Sequence, residues 1–161
     1  MTAVTLPAIV LRSKGAPMHI SDILRSKGTQ VVVVPPDASV RELLDVLKTH
    51  NLGAAVVSSG ARVLDGIVSE RDVVRRLTEG AAVLDLPIRE IMTPVEEMQT
   101  CTMAATVDSL AQLMTDLRVR HIPVVDDKGL LAGIVSIGDV VKSRIGELTF
   151  ERDELEAYVT H

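Results

Sequence analysis

The second half of this chain repeats the first half without a gap. When the sequence is aligned with itself at a shift of 67 positions, Gly66–Ser69 falls on Gly133–Ser136, and both segments read Gly-Ile-Val-Ser. At the same shift, Asp72–Val74 falls on Asp139–Val141, and both segments read Asp-Val-Val. A gapless repeat indicates one supersecondary unit used twice, with each copy covering an apolar face of the other.

Each copy is predicted to fold as strand, helix, strand, strand, helix. Short β-branched runs bounded by Pro or Gly predict the strands, and amphipathic stretches that open with Ser or Thr predict the helices. In the first copy the predicted elements are the strand 31–34, a helix opened by the capping box of Ser39 and Glu42, the strands 54–57 and 63–68, and a helix 69–80. In the second copy they are the helix 107–117, the strands 122–125 and 131–135, and the helix 137–145, followed by an acidic tail helix over 147–159.

The composition excludes several classes of function. Aromatic residues make up 1% of the chain and Trp is absent, so base-stacking platforms for nucleic acid are lacking, and the net charge of −5 gives no footprint for a phosphate polymer. One cysteine, Cys101, and four scattered histidines provide no zinc-binding spacing. The apolar runs are too short for a membrane span, and nothing near the start resembles a secretory leader. We therefore expect a cytoplasmic protein with no membrane and no nucleic-acid partner.

The repeated phrase Gly-Ile-Val-Ser-x-x-Asp places a hydroxyl and a carboxylate where a strand meets a helix N-terminus. Such a terminus presents free backbone N–H groups that suit a phosphate, and a neighbouring carboxylate suits a ribose diol. The same Ser-x-x-Asp spacing is also an ordinary helix-capping motif. Repetition does not decide between the two interpretations, because a duplicated helix duplicates its cap.

The basic residues near these phrases also allow two interpretations. Arg120 could neutralise a phosphate and His121 could contact a base, but on the residues alone a solvated arginine and a half-buried histidine are favoured. Arg75 and Arg76 are predicted to lie on the outer face of their helix. Cys101 is interpreted as an inert buried thiol, because no cations flank it.

The two units resemble a tandem pair of cystathionine-β-synthase (CBS) domains, the arrangement called a Bateman module. The resemblance covers about 20–145 and rests on Gly-Ile-Val-Ser-Glu-Arg-Asp-Val-Val at 66–74, His-Ile-Pro-Val-Val-Asp at 121–126 and Gly-Ile-Val-Ser-Ile-Gly-Asp-Val-Val at 133–141. It implies an α/β fold in which two βαββα repeats pack sheet to sheet about a pseudo-twofold axis. The expected organisation is an N-terminal extension 1–17, repeat one 18–80, a linker 81–87, repeat two 88–146 and a C-terminal helix 147–161.

The resemblance also implies two clefts that hold AMP, ADP, ATP, NAD or a related adenosyl ligand as a regulatory ligand. One site would use Ser136, Gly138, Asp139, Arg120, His121, Ala38, Leu43, Leu52, Gly53 and Ala54. The other would use Ser69, Arg71, Asp72, Gly53, Ala54, Ala105, Leu110, Val119, Arg120 and His121. The sites differ, because Arg71 stands where the second repeat has Gly138. That glycine lets a ribose approach the backbone, so the Asp139 site is expected to bind more tightly.

The function expected from these features is a nucleotide-sensing regulatory module without catalysis or a catalytic cofactor, since no nucleophile–base pair or metal cluster is evident. The alternative is a structural dimerisation module with empty clefts. A homodimer is expected because Val73-Val74, Val140-Val141 and the tail residues Leu148, Phe150, Leu155 and Tyr158 offer apolar surface. An unidentified regulated protein is a further expected partner.

Overall fold

The computed structural model describes residues 16–159, which form two small sheets and five α-helices. The helices are α1 (Ile20–Lys27), α2 (Val40–His50), α3 (Glu70–Arg76), α4 (Val107–Leu117) and α5 (Ile137–Val159). The strands are β1 (Val33–Val34), β2 (Ala54–Val57), β3 (Gly66–Ser69), β4 (Thr93–Pro94), β5 (Cys101–Thr102), β6 (His121–Val125) and β7 (Leu131–Ser136). The predicted order of strand, helix, strand, strand, helix is confirmed in both repeats.

The two sheets have the same core topology. In the first, β1 lies parallel to β2, β2 lies antiparallel to β3, and β4 adds an antiparallel edge strand to β3. In the second, β5 lies parallel to β6 and β6 lies antiparallel to β7. The first strand is shorter than predicted, because only Val33–Val34 of the run 31–34 pairs with β2.

The segment that precedes each repeat packs on the other repeat. Ile20 N–H donates to the carbonyl of Ala105 (2.9 Å), and α1 is buried among β6, β7 and α4. In the reciprocal contact, Ile88 N–H donates to the carbonyl of Ala38 (2.8 Å), and Ile88 is buried in the core of the first repeat. The helix α1 therefore precedes the first repeat in the sequence but packs in the core of the second repeat.

This exchange explains the repeated glycine of the Gly-Ile-Val-Ser phrase. A Cβ built on Gly66 would lie 2.5 Å from the carbonyl oxygen of Thr93, at the start of β4. A Cβ on Gly133 would lie 2.9 Å from the side chain of Leu24 in α1. A side chain at Gly66 would push away the backbone of β4, whereas one at Gly133 would displace the side chain of Leu24.

A third cluster joins the two sheets. Val56 of β2, Leu64 and Leu131 of β7 are buried together, which confirms the predicted sheet-to-sheet packing. Arg62 reinforces this contact, because its Nε donates to the carbonyl of Leu131 (2.8 Å) and its guanidinium pairs with Asp126 (2.8 Å). Each repeat therefore has its own mainly aliphatic core, and this third cluster joins the two sheets.

Two expectations about the helices change in the structure. The tail helix is present but is continuous with the preceding helix, so that α5 runs unbroken over Ile137–Val159. Val73 and Val140 are buried in the cores, whereas their neighbours Val74 and Val141 are 64% and 50% exposed. Only one valine of each pair therefore offers surface, because adjacent helical residues point in different directions. Within residues 16–159, no helix is both long enough and apolar enough to cross a bilayer.

Candidate functional site

An open cleft lies between the start of α3 and the segment that leads from α4 into β6. Its volume is about 590 Å³. We call it the Asp72 cleft; its lining residues are Gly53, Ala54, Ile67, Ser69, Arg71, Asp72, Arg75, Thr93, Leu117, Arg118, Val119, Arg120 and His121. Eight of the ten residues predicted for this site are thus brought together by the two repeats.

The other two predicted residues lie in the core of the second repeat. Leu110 is 1% exposed and Ala105 packs against the same cluster. In the first repeat, Leu43 is fully buried and Ala38 packs against its cluster. These four side chains line no described cleft, because the apolar face of each helix turns inward to the sheet.

Ser69 and Asp72 form a capping box at the N-terminus of α3. The N–H and the hydroxyl of Ser69 both donate to Oδ2 of Asp72 at 2.7 Å, and Asp72 N–H donates to Ser69 Oγ at 3.4 Å. The capping interpretation of the Ser-x-x-Asp phrase is therefore confirmed. The cap uses only one carboxylate oxygen of Asp72, since within the described residues no hydrogen bond reaches Oδ1. The same side chain can cap the helix and accept a hydroxyl from the cleft.

Arginines dominate the charge of the Asp72 cleft. Arg71, Arg75, Arg118 and Arg120 all line it, although the whole chain is acidic. Arg71 reaches across the cleft, and its Nη1 donates to the carbonyl of Arg118 at 3.1 Å. Arg118 has left-handed backbone angles (φ 54°, ψ 37°) and ends α4. The four arginines thus concentrate positive charge in the cleft, which suits an anion.

Arg75 and Arg118 were not predicted for this site. Arg75 had been assigned to the outer face, but it lies one helical turn after Arg71 and shares its face of α3. That spacing could have identified it. Arg76 lies elsewhere, with its Nη1 donating to the carbonyl of Glu90 at 2.9 Å. Ile67 belongs to the repeated Gly-Ile-Val-Ser phrase but was not among the predicted site residues. Nothing in the sequence marks Thr93, Leu117 or Arg118, which enter the cleft through the packing of the two repeats.

His121 and Gly53 line the cleft side by side. A Cβ on Gly53 would lie 3.6 Å from Cε1 of His121 and 3.4 Å from Oε1 of Glu70. Burial and the charge of Arg120 lower the pKa of His121, against the opposing effect of Asp139 and Glu70. The imidazole is therefore neutral at pH 7 and can exchange hydrogen bonds with a base, but it adds no charge for a phosphate.

A lysine engages the corresponding aspartate of the second repeat. Lys27, the last residue of α1, donates to Oδ2 of Asp139 at 2.6 Å and to the carbonyl of Ile134 at 2.8 Å. Burial raises the pKa of Asp139, but hydrogen bonds from Lys27 and Ser136 outweigh burial and lower it below the ordinary value. Asp139 N–H donates to Ser136 Oγ (3.2 Å), so this capping box is also formed.

The surroundings of Asp139 differ from those expected. It lines a space of about 280 Å³ between α1 and α5, together with residues such as Met18, Ile23 and Lys142. The residues predicted to complete this site do not line that space; they are Ala38, Leu43, Leu52, Gly53, Ala54, Arg120, His121, Ser136 and Gly138. His121 nevertheless pairs with Ser136 across β6 and β7, and Ile137 N–H donates to the carbonyl of Arg120 at 2.8 Å, so both basic residues lie beside the start of α5. Lys27 engages Asp139 while the Asp72 cleft stays open. The expected ranking of the two sites by affinity stays a prediction.

Comparisons with known proteins agree with this architecture. The family model described as "CBS domain" matches residues 20–79 and 88–146. The chain is 36% identical, over 96% of its length and 78% of the relative, to the Arabidopsis thaliana protein "CBS domain-containing protein CBSX3, mitochondrial". Because that relative is named as mitochondrial, the expected cytoplasmic location stays a prediction.

Solved structures show the same likeness. The CBS-domain containing protein ATU1752 from Agrobacterium tumefaciens superposes with a TM-score of 0.74 at 42% identity, covering 79% of this chain and 99% of that one. The CBS domain pair of protein MJ0100, solved with 5'-methylthioadenosine and S-adenosyl-L-methionine, superposes with a TM-score of 0.71 at 25% identity, covering 82% and 99%. With both repeats matched by the family model and the fold shared with these structures, the chain belongs to the CBS-domain family, as a tandem pair.

Proposed function

We propose that this chain is a regulatory module whose Asp72 cleft binds a phosphate-bearing adenosine nucleotide without transforming it. The observation that carries the proposal is the meeting, in one open cleft, of a ribose-type acceptor at Asp72 with four arginine side chains. The volume of about 590 Å³ falls within the range of small-molecule sites. Adenosine-type ligands bound to the CBS pair of MJ0100 support the adenosine part of the ligand.

The arginines favour ligands that carry phosphate. A guanidinium group can donate two parallel hydrogen bonds to the oxygens of one phosphate. A cationic ligand such as S-adenosyl-L-methionine would meet repulsion from Arg71, Arg75, Arg118 and Arg120. We therefore propose AMP, ADP, ATP or an NAD-type dinucleotide as the ligand class, with di- and triphosphates preferred over AMP.

The remaining residues complete the recognition of the nucleoside. Oδ1 of Asp72 would accept a ribose hydroxyl, and the neutral imidazole of His121 would face the base. The apolar side chains of Ile67, Val119 and Leu117 would cover the flat faces of the base. A regulated protein would respond to whether the Asp72 cleft holds a nucleotide. The proposed functional unit is a homodimer.

Calorimetry on the wild type and on two matched aspartate variants tests the proposal. We expect micromolar binding of ADP and ATP, about −8 kcal/mol, with affinity falling at least about tenfold for adenosine. Asp72→Ala loses a charge-assisted hydrogen bond worth about 1.5–3 kcal/mol, so affinity should fall by about one to two decades.

Asp139→Ala is the matched control, because it removes the same capping carboxylate from the other repeat. Both variants should melt at lower temperature, but only Asp72→Ala should lose nucleotide affinity. If the two variants bind nucleotide with equal affinity, both aspartates serve only as helix caps. Absence of heat and of any melting shift with every adenosine compound at millimolar concentration would overturn the proposal and favour the structural dimerisation module.

A further inference from the structure

The charge of the Asp72 cleft is unbalanced. Four arginine side chains line it, and Asp72 is the one acidic side chain among the described residues that do. His121 lines it as well, and because burial and Arg120 lower the pKa of His121, the imidazole adds no charge at pH 7. A ligand therefore meets four guanidinium groups and one carboxylate, and the form of the nucleotide with the most negative charge is favoured.

Magnesium changes the charge that a nucleotide presents. Mg²⁺ bridges oxygens of neighbouring phosphates, and protein sites for such complexes usually also hold the metal through one or two carboxylates. Near pH 7 the phosphate chain of ATP carries about four negative charges, and bound magnesium cancels about two of them. A site can therefore suit one form or the other, with carboxylates around the metal or with cations around the bare phosphates.

The carboxylates near the cleft are poorly placed to hold a metal ion. Oδ2 of Asp72 accepts hydrogen bonds from the N–H and the hydroxyl of Ser69 at 2.7 Å each, so a metal on that oxygen would break the cap of α3. Glu70 is exposed beside Gly53, with its Oε1 3.4 Å from a Cβ built on that glycine. Among residues 16–159, no three His, Cys, Asp or Glu side chains are grouped so that they could hold a metal. The described part of the cleft thus does not suit a magnesium–nucleotide complex.

The arginines are arranged to bind a bare phosphate chain. Arg71 and Arg75 lie one turn apart on the same side of α3, and Nη1 of Arg71 reaches the carbonyl of Arg118 at 3.1 Å. A phosphate oxygen would offer these guanidinium groups a charged acceptor in place of a neutral one. A divalent cation on the phosphates would instead lie among like charges, which raises its energy.

We infer that the Asp72 cleft binds its nucleotide free of magnesium, with Arg75 and the neighbouring arginines in the place that a metal ion takes in other nucleotide sites. This inference rests on the proposed function and specifies the form of the ligand. In a medium with excess magnesium most ATP is the metal complex, whereas AMP binds the ion weakly. The cleft should then respond to AMP and ADP more than to ATP, although ATP binds most tightly when no metal is present.

Calorimetry in two buffers tests this inference, one with EDTA and one with magnesium in excess over nucleotide. The buffers are matched in ionic strength, because salt alone screens the arginines. When magnesium replaces EDTA, we expect the affinity for ATP to fall at least about tenfold and the affinity for AMP to stay within about twofold. Equal affinity for ATP in the two buffers, or a higher affinity with magnesium, would overturn the inference and leave the proposed function standing. No binding of any nucleotide in either buffer would refute both.

Two adjacent arginines of α3 supply matched variants. Arg75→Gln removes a positive charge from the cleft, whereas Arg76→Gln removes one from the same helix outside the cleft, where its Nη1 donates to the carbonyl of Glu90. Arg75→Gln should reduce the ratio of the ATP affinities in the two buffers by about threefold or more, because less positive charge then opposes the metal. Arg76→Gln should keep the wild-type ratio. A wild-type ratio in Arg75→Gln would show that this arginine does not take the place of the metal, and the inference would be wrong.

Discussion

Replacement of Lys27 by methionine tests whether this lysine closes the site at Asp139. The substitution keeps the apolar stem and removes the ammonium, which holds Asp139 at 2.6 Å and the Ile134 carbonyl at 2.8 Å. The side chains of Lys27 and Asp139 are 32% and 21% exposed, so solvent screens part of the attraction. The expected loss is about 1 kcal/mol, which for a chain of this size lowers the melting temperature by about 2–4 °C.

The larger effect should be on nucleotide stoichiometry. The wild type should bind one nucleotide per chain in the Asp72 cleft. Lys27→Met frees the carboxylate of Asp139, and calorimetry should then show a second site. The second site should bind nucleotide more weakly, because it lacks two of the arginines of the Asp72 cleft. At the shift of 67 positions, Arg71 corresponds to Gly138 and Arg120 corresponds to Gly53.

The matched control is Lys48→Met, which also removes a lysine from the last turn of a helix and therefore has the same effect on the helix dipole. It should leave the stoichiometry at one. A second site that disappears in the Lys27→Met, Asp139→Ala double variant would locate the gain at Asp139. Two sites in the wild type, or one site in Lys27→Met, would refute the reasoning.

Three further predictions concern the fold and its titratable groups. Gly66→Ala places a Cβ 2.5 Å from a backbone carbonyl of β4, so it should lower the free energy of unfolding, measured in urea, by about 1–3 kcal/mol. The control is Gly146→Ala, which has open space around it and should raise the free energy of unfolding by about 1 kcal/mol. Equal effects of the two substitutions would contradict the close approach at Gly66. Burial raises the pKa of the Cys101 thiol to about 11. At pH 8 the thiol should therefore react with iodoacetamide about a hundredfold more slowly in the folded chain than in the unfolded chain. Rapid labelling of the folded chain would argue against a closed core around Cys101. The pKa of His121 in the folded chain lies below its ordinary value of 6.5, so as the pH falls the unfolded chain takes up the proton first, and the stability that His121 contributes above pH 6.5 is lost. The His121→Gln variant should therefore lose less stability than the wild type between pH 7.5 and 5.5. The control is His50→Gln, at an exposed position, which should lose as much stability as the wild type.

The local structure of this chain follows from its sequence alone. The capping boxes at Ser39 and Ser69, the end of α2 at the left-handed Asn51 and the repeated strand pair are all set by residues within a few positions of each other. Duplication then makes the overall plan evident, because a unit used twice in tandem must pack against itself to cover its apolar face. The inward-facing Leu43 and Leu110 were instead assigned to binding sites, although the amphipathic period of their helices indicates core positions.

Only the tertiary structure decides what each repeated motif faces. Lys27 and Asp139 are separated by 112 positions, and no local pattern pairs them; they meet because α1 packs on the second repeat. The same exchange places the lead-in of the second repeat against Gly66, while Arg118 enters the Asp72 cleft through packing of the end of α4 beside α3. Two nearly identical Ser-x-x-Asp phrases thereby acquire different surroundings, one open and lined by arginines, the other engaged by a lysine. The sequence determines two equivalent helix starts, and long-range packing makes them chemically unequal, because a charge acts on whatever side chains folding brings within a few ångströms of it.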